Sequence, residues 1–126
     1  MSDFVLTPEQ IQLRDEARHF VRNEVPRQLL LDMDAEKVRY PREYIQKLAG
    51  HHLLGLRFSQ EWGGRGLDWS HEVLALEEIG VLGASLACLF SLPSIVGEAI
   101  HVFGLVDLVR SGAPRAKPAC KVTGTA

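Results

Sequence analysis

The first periodic segment of the chain predicts an amphipathic helix. Its apolar residues recur at three- and four-residue steps, as one face of a helix requires. Thr7 and Gln10 have the spacing of a capping box, and Pro8 suits the first helical position. Pro26 ends the pattern, because proline disfavours helical geometry in the residue before it. The apolar positions are Ile11, Leu13, Ala17, Phe20, Val21 and Val25.

A second helical pattern follows a segment that is harder to assign. Residues 27–40 have no clean period, so a helical extension and an ordered loop both fit them. Tyr40 and Pro41 then open a helix that we expect to stop at Gly55. Its predicted stripe is Tyr44, Ile45, Leu48, Ala49 and His52.

The segment after Ser70 predicts two more helices, with a break near Gly83. The second of them runs from about Ser85 to Phe103 and ends at Gly104, a suitable capping residue. Because residues 1–104 contain no strand pattern, we predict an all-α bundle of four to five helices. The face predicted for the first of these two helices is Val73, Leu76, Glu77, Gly80 and Ala84.

One uncharged stretch, residues 79–97, is long enough to cross a membrane. Only 12 of its 19 residues are apolar, and it is flanked by Glu77, Glu78 and Glu98 rather than by Lys or Arg. An all-round apolar helix also occupies the centre of a bundle. We therefore predict a buried helix and no membrane span.

The net charge of -2 provides no basic surface for nucleic acid, so we expect no nucleic-acid partner. It also conceals an asymmetry: residues 1–104 hold 10 basic and 15 acidic side chains, whereas residues 105–126 hold 4 and 1. This change in charge balance after Gly104 predicts one domain over residues 1–104 and a poorly ordered basic tail over residues 105–126.

Two cysteines, Cys88 and Cys120, are too few for a disulfide framework, and neither has the spacing of a metal site. The amino terminus shows neither a secretory signal nor an Arg-rich transit peptide. We therefore expect a cytoplasmic location.

A loop rich in glycine, residues 60–70, allows two interpretations. Gly63, Gly64 and Gly66 could cradle a phosphate, but a dinucleotide fingerprint needs another spacing and a preceding strand. A turn pinned by Trp62 and Trp69 fits better.

Few residues are candidates for catalysis or metal binding. His51 and His52 are adjacent and diverge on a helix, so they cannot both face one metal. The same geometry separates Glu77 from Glu78, which predicts a helix face with one ion-paired carboxylate. His71 and His101 are isolated. We therefore predict no catalytic residue and no metal site.

A strip of small side chains on the last helix is a better candidate for a binding surface. Ala87, Ser91 and Ile95 recur every four residues, with Cys88 beside them. Such a strip either lets another helix approach closely or leaves a groove for an apolar ligand. Composition alone favours close packing.

Several short motifs, in order between about Phe4 and Gly104, resemble the amino-terminal helical domain of the acyl-CoA dehydrogenase family. No single motif is decisive, but together they keep the expected spacings. They are Thr7-Pro8-Glu9-Gln10, Leu13-Arg14-Asp15, Tyr40-Pro41-Arg42-Glu43, Lys47-Leu48-Ala49, Leu53-Leu54-Gly55-Leu56, Glu61-Trp62-Gly63-Gly64-Arg65-Gly66-Leu67-Asp68 and Leu76-Glu77-Glu78-Ile79-Gly80.

The resemblance implies an FAD-dependent enzyme that oxidises the α,β bond of an acyl-CoA thioester and passes electrons to an electron-transfer flavoprotein. In that family the catalytic glutamate and most flavin contacts lie in later domains, so we expect no bound FAD and no activity for this chain alone. The resemblance assigns part of the acyl-pocket wall to Ala87, Cys88, Ser91 and Ile95. It thereby favours a groove at the strip in the full-length context.

Three departures from the family pattern stand out. The family usually has an apolar residue and a glycine where this chain has His51 and His52, and proline is common in place of Ser59. After Gly104 an acidic helix start is usual, whereas Leu105 leads into the basic tail. We hypothesise that the reading frame, or the cloned segment, departs from the family at Leu105.

Two functions from different classes remain open. The first is a truncated acyl-CoA dehydrogenase domain that is inactive alone. The second is a stand-alone helical interaction module, whose exposed apolar surface recruits another chain or self-associates. For a truncated domain, which leaves apolar surface exposed, we expect a homo-oligomer or a low melting point, whereas the module predicts a defined dimer or a complex with another chain.

Overall fold

The computed structural model of the chain describes residues 5–104, and within that range all regular structure is helical. A short 3-10 turn (Gln60–Trp62) precedes the fourth helix, and a π-helical turn (Ile100–Gly104) follows the fifth. The predicted all-α fold is confirmed. The basic tail lies outside the described residues, so the domain boundary at Gly104 stays a prediction. The five α-helices of the described part are α1 (Pro8–Asn23), α2 (Arg27–Asp34), α3 (Arg42–Gly50), α4 (Trp69–Gly80) and α5 (Ala84–Ala99).

The start of α1 forms as its sequence predicts. The backbone N–H of Gln10 donates to the Thr7 hydroxyl at 3.2 Å, and the Thr7 N–H donates to the Gln10 side-chain oxygen at 3.0 Å. This reciprocal capping satisfies two N–H groups that have no partner inside the helix. The helix packs mainly against α4.

One hydrophobic core joins α1, α3, α4 and α5 with the segment between α3 and α4. Tyr44 of α3 is buried in it, and its hydroxyl donates to the Leu86 carbonyl at 3.1 Å. Burial raises the pKa of Tyr44 above its ordinary value, so the hydroxyl remains a donor. The core residues are Leu13, Ala17, Phe20, Val25, Tyr44, Leu48, Leu53, Leu56, Ala75, Ile79, Leu86 and Phe90.

The ambiguous segment after Pro26 is resolved as a short helix, α2, followed by a turn. None of the α2 residues is fully buried, although Leu30 and Met33 pack against the core from its edge. Both alternatives were therefore partly right, because helix and ordered loop divide the segment.

The predicted end of α3 at Gly55 is wrong, because the helix ends at Gly50. His52 adopts the left-handed conformation (φ 53°), and its N–H donates to the Ala49 carbonyl at 3.1 Å. The Leu53 N–H reaches the Leu48 carbonyl at 3.0 Å. These two bonds form a Schellman motif, in which the left-handed position is usually glycine.

Most of the residues predicted to share one side of α4 are exposed, and Ala84 instead begins α5. Val73 and Glu77 are exposed, whereas Leu74, Ala75 and Ile79 face the core. Apolar residues occupy adjacent positions in this helix, so its period alone does not single out one face.

The prediction that the last helix is buried holds for only one side of α5. Leu86 and Phe90 are buried, but Leu92, Ile95 and Val96 are each at least 45% exposed. Judged by length and composition alone, one stretch of the described residues, Ala84–Phe103, could cross a membrane; 22% of its most apolar window is buried. The expectation of no membrane span stays a prediction, supported by the core contacts of this helix.

The left-handed His52 predicts that His52→Gly stabilises the protein by about 1 kcal/mol, because glycine adopts this conformation without a Cβ clash. The urea dependence of far-UV circular dichroism measures the change. His51→Gly is the matched control: His51 has an ordinary φ of -86° and packs its ring edge-on against Phe20 at 5.3 Å, so its loss lowers stability. A less stable His52→Gly variant would contradict the Schellman assignment.

Candidate functional site

The four predicted strip residues lie together on one side of α5. Ala87 and Ser91 are half-buried, Cys88 is exposed, and Ile95 is 57% exposed. The Ser91 hydroxyl donates to the Cys88 carbonyl at 3.2 Å, so its hydrogen is used within the helix. The strip is thus a mainly apolar surface of low relief, and its role as a pocket wall stays a prediction.

Exposed apolar side chains extend this surface to the end of the described residues. Exposed apolar area of this kind marks an interaction surface, for example for a ligand or another protein. Each of the large side chains in this set is at least 43% exposed: Leu92, Ile95, Val96, Ile100, Val102 and Phe103. We call them, together with the strip, the apolar face of α5.

Two grooves among the described residues have linings that do not include the strip. The larger groove, of about 800 Å³, lies between α2 and the start of α5. The smaller one, of about 490 Å³, lies between α1 and the end of α3. The strip itself is partly exposed, so a closed pocket over it needs a second surface.

A charged cluster centred on Arg57 holds α4 and α5 together. The Arg57 guanidinium donates to Glu72 of α4 and, at 2.7 Å, to Glu98 of α5. It also lies over the Trp69 ring, 3.4 Å from the ring centre. The side chains of Arg57 and Glu72 are only 12% and 5% exposed. Three segments that are distant in sequence are thereby joined by one side chain.

The hydrogen bonds of this cluster favour the charged forms of Arg57 and Glu98. Burial by itself would lower the pKa of Arg57, but hydrogen bonds to Glu98 and Glu72 outweigh it and raise the pKa above its usual value. The hydrogen bond from Arg57 lowers the pKa of Glu98 in turn, against the effect of its burial. Two carboxylates on one guanidinium leave this cluster with a net negative charge.

Sequence reasoning missed this cluster, although a signal was present. Arg57 follows an apolar run, and Glu98 is the one charged residue of α5. An isolated charge in an apolar segment must be solvated or paired, because burial without a partner costs several kcal/mol. That argument identifies the charges but not their partners.

The glycine loop before α4 is a close-packed turn. Gly63 and Gly66 have positive φ values of 84° and 68°. A Cβ on Gly64 would collide with the Phe58 backbone. The Trp62 ring meets the His101 ring edge-on, with ring centres 6.0 Å apart, and the 57% exposed Trp69 lies beneath the Arg57 guanidinium, so both tryptophans contact residues outside the turn.

The histidines do not converge. Both His51 and His52 lie beyond the end of α3, so the prediction that they share a helix is wrong, and residues 5–104 contain no group of three ligands suited to a metal ion. His71 binds the capping carboxylate of Asp68 at 2.7 Å through Nδ1, while its buried Nε2 has no hydrogen-bond partner. The structure gives His71 a structural role at the start of α4.

The carboxylate pair on α4 behaves as predicted. Glu78 forms a bidentate salt bridge with Arg18 of α1, whose guanidinium nitrogens lie 2.7 and 3.1 Å from the two carboxylate oxygens, whereas Glu77 is exposed. One carboxylate is ion-paired and the other faces solvent, so joint acid-base chemistry of the two is not supported.

The described residues fit a flavin dinucleotide poorly. The larger groove carries Asp34 and Glu36 against a single cation, Arg39, which suits a pyrophosphate badly. In the glycine loop, Gly64 is packed against the Phe58 backbone, which blocks the approach of a phosphate at that position. We therefore assign no residue of this chain to FAD.

The described residues form a helical domain with one exposed apolar face. A family model described as the N-terminal domain of acyl-CoA dehydrogenase matches residues 7–108. The chain belongs to the acyl-CoA dehydrogenase family and corresponds to its N-terminal domain. The resemblance drawn from the short motifs is confirmed.

Individual relatives support the assignment. The chain is 34% identical over 103 residues to the short-chain specific acyl-CoA dehydrogenase of Clostridium acetobutylicum, covering 81% of this chain and 27% of that protein. It is 32% identical to the NADH-dependent acryloyl-CoA reductase of Anaerotignum propionicum, in a match that covers 90% of this chain and 28% of that protein. It is 30% identical to an acyl-CoA dehydrogenase of Bacillus subtilis, in a match that covers 73% of this chain and 24% of that protein.

The chain spans about a quarter of the length of the curated relatives that it matches. No solved structure gives a significant match.

The Arg57 cluster predicts that Glu72→Ala lowers the free energy of unfolding by about 3 kcal/mol, because it removes the buried partner of a buried guanidinium. Urea unfolding followed by circular dichroism gives the value. Glu77→Ala, on the exposed side of the same helix, is the control and should change stability by less than about 0.5 kcal/mol. Equal effects of the two substitutions would show that the cluster contributes nothing specific.

Proposed function

We propose that this chain is the N-terminal part of an FAD-dependent acyl-CoA dehydrogenase and that the strip on α5 forms part of its acyl-pocket wall. The observation that carries the proposal is the family match over residues 7–108, combined with a helix face that is uncharged and open. An acyl chain is apolar, and apolar walls with few polar groups are typical of sites that bind such ligands.

Under this proposal each strip residue has a defined part. Ala87 and Ser91 keep the wall low, so an acyl chain can pass over the helix. Ile95 limits the space at the far end of the strip, because it is the largest of the four side chains and is mostly exposed. Cys88 borders the same surface as a free thiol.

The reaction of the whole enzyme is part of the proposal. FAD would accept the hydride when the α,β bond of an acyl-CoA is oxidised, and an electron-transfer flavoprotein would receive the electrons. The residues of this chain would orient the acyl chain and exclude water from it. They supply neither the proton-abstracting base nor the flavin site, so the chain alone is proposed to be inactive, and its location cytoplasmic.

The purified chain tests this inactivity. We expect no absorbance near the flavin bands and no acyl-CoA-dependent reduction of an electron-accepting dye, because described side chains suited to either task are lacking. Yellow protein with acyl-CoA-dependent activity would overturn the proposal of inactivity.

A second function is favoured by the exposed side chains of the apolar face. These side chains could hold a second copy of the chain, which would make the protein a self-associating module. Size-exclusion chromatography with light scattering separates the possibilities. A colourless, discrete dimer that Ile95→Glu converts to monomer would favour the module.

A chimera tests the pocket wall directly. Residues 5–104 replace the matching segment of the Clostridium acetobutylicum enzyme, and kcat/KM is measured for acyl-CoAs of increasing length. We expect Ile95→Ala to shift the preference toward longer chains by roughly tenfold or more, since each methylene of pocket space contributes a factor of this order.

The control for this experiment is Val81→Ala. Val81 is 76% exposed and lies in the turn before α5, outside the strip. It should leave the chain-length profile unchanged. An unchanged profile for Ile95→Ala, in a chimera with normal flavin content, would contradict the wall assignment.

A further inference from the structure

The part of α5 that follows Pro93 differs in its contacts from the part that precedes it. Before Pro93 the helix is anchored by Leu86 and Phe90, which are 1% and 2% exposed. After Ser94, which is the last buried residue of α5, no described side chain enters the core. We call residues 95–104 the C-terminal arm.

Helix geometry weakens the connection between the two parts. Pro93 has no N–H to donate to the carbonyl four residues earlier, and its ring crowds the preceding turn. The arm then leaves α-helical geometry at residue 100 and continues as a π-helical turn (Ile100–Gly104). Irregular hydrogen bonding at both places makes this end of the helix less cooperative with its start.

Three contacts hold the arm against the rest of the domain. Glu98 accepts a hydrogen bond from the Arg57 guanidinium at 2.7 Å. The His101 ring meets Trp62 edge-on at 6.0 Å. Gly97 lies directly against the ring of Phe58, which leaves no space for a side chain. All three partners belong to the short segment of residues 57–62, so these contacts join the arm to one segment of the domain.

We propose that the C-terminal arm is a hinged element: it opens as a unit about Pro93 when the Arg57–Glu98 ion pair breaks, while α1, α3 and α4 stay folded. The core contacts of these helices do not involve the arm, so their stability does not depend on its position. Arg57 keeps its buried partner Glu72 when the arm opens, which leaves the guanidinium paired in both states.

The consequence for binding rests on the proposed function. Ala87, Cys88 and Ser91 precede Pro93, whereas Ile95 belongs to the arm. Opening therefore changes the position of Ile95 relative to the other three strip residues. The arm would set the length of the acyl-chain wall.

Amide hydrogen exchange of the full chain, followed residue by residue by NMR, tests the hinge without acyl-CoA. Glu98→Gln keeps the shape of the side chain but removes its charge, and it should speed exchange of the arm by about fivefold, the size expected for a partly exposed ion pair. Exchange in α1 and α4 should not change. Glu77→Gln, which removes an exposed charge on α4, should alter neither set of amides.

Pro93→Ala is the second variant that tests the hinge. It restores a backbone donor within α5, so exchange of residues 95–104 should slow and approach that of residues 84–92. The proposal is overturned if Glu98→Gln leaves the arm unchanged or speeds exchange of α1 and α4 equally. It is also overturned if Pro93→Ala leaves the arm as mobile as before. None of these results depends on whether the strip binds an acyl chain.

Discussion

The C-terminal end of α5 is joined to α4 by the pairing of one guanidinium with two carboxylates. Arg57 is nearly buried, so it must be paired, and its partners lie on α4 and α5. Glu98 is the one charged residue of α5, and its pairing holds the part of the helix that follows Pro93. The part before Pro93 is held by Leu86 and Phe90, which are buried in the core and leave the strip facing outward.

The sequence was sufficient for the features that depend on local chemistry. The capping box at Thr7 and Gln10 marks the start of α1, and Pro26 lies just beyond its end. The end of α3 could not be predicted in the same way. His52 takes a conformation that favours glycine, so the residue type gives no signal, and only the backbone hydrogen bonds reveal the stop.

The candidate site was predictable in part. Small side chains at four-residue steps identify the strip, and the family resemblance suggests its use. The partners of Arg57 lie 15 and 41 residues away, so no local pattern connects them. Burial of α5 was overestimated because an apolar helix looks the same from the sequence whether one side or every side is covered.

The central claim is that the strip on α5 touches the acyl chain. An acyl-CoA with a photoreactive diazirine at the end of its chain, bound to the Clostridium acetobutylicum chimera, tests this contact directly by mass spectrometry of the labelled peptides. We expect labelling at the strip (Ala87, Cys88, Ser91 or Ile95). Labelling of the groove beside α2, for example at Met33 or Tyr40, with none on α5, would contradict it.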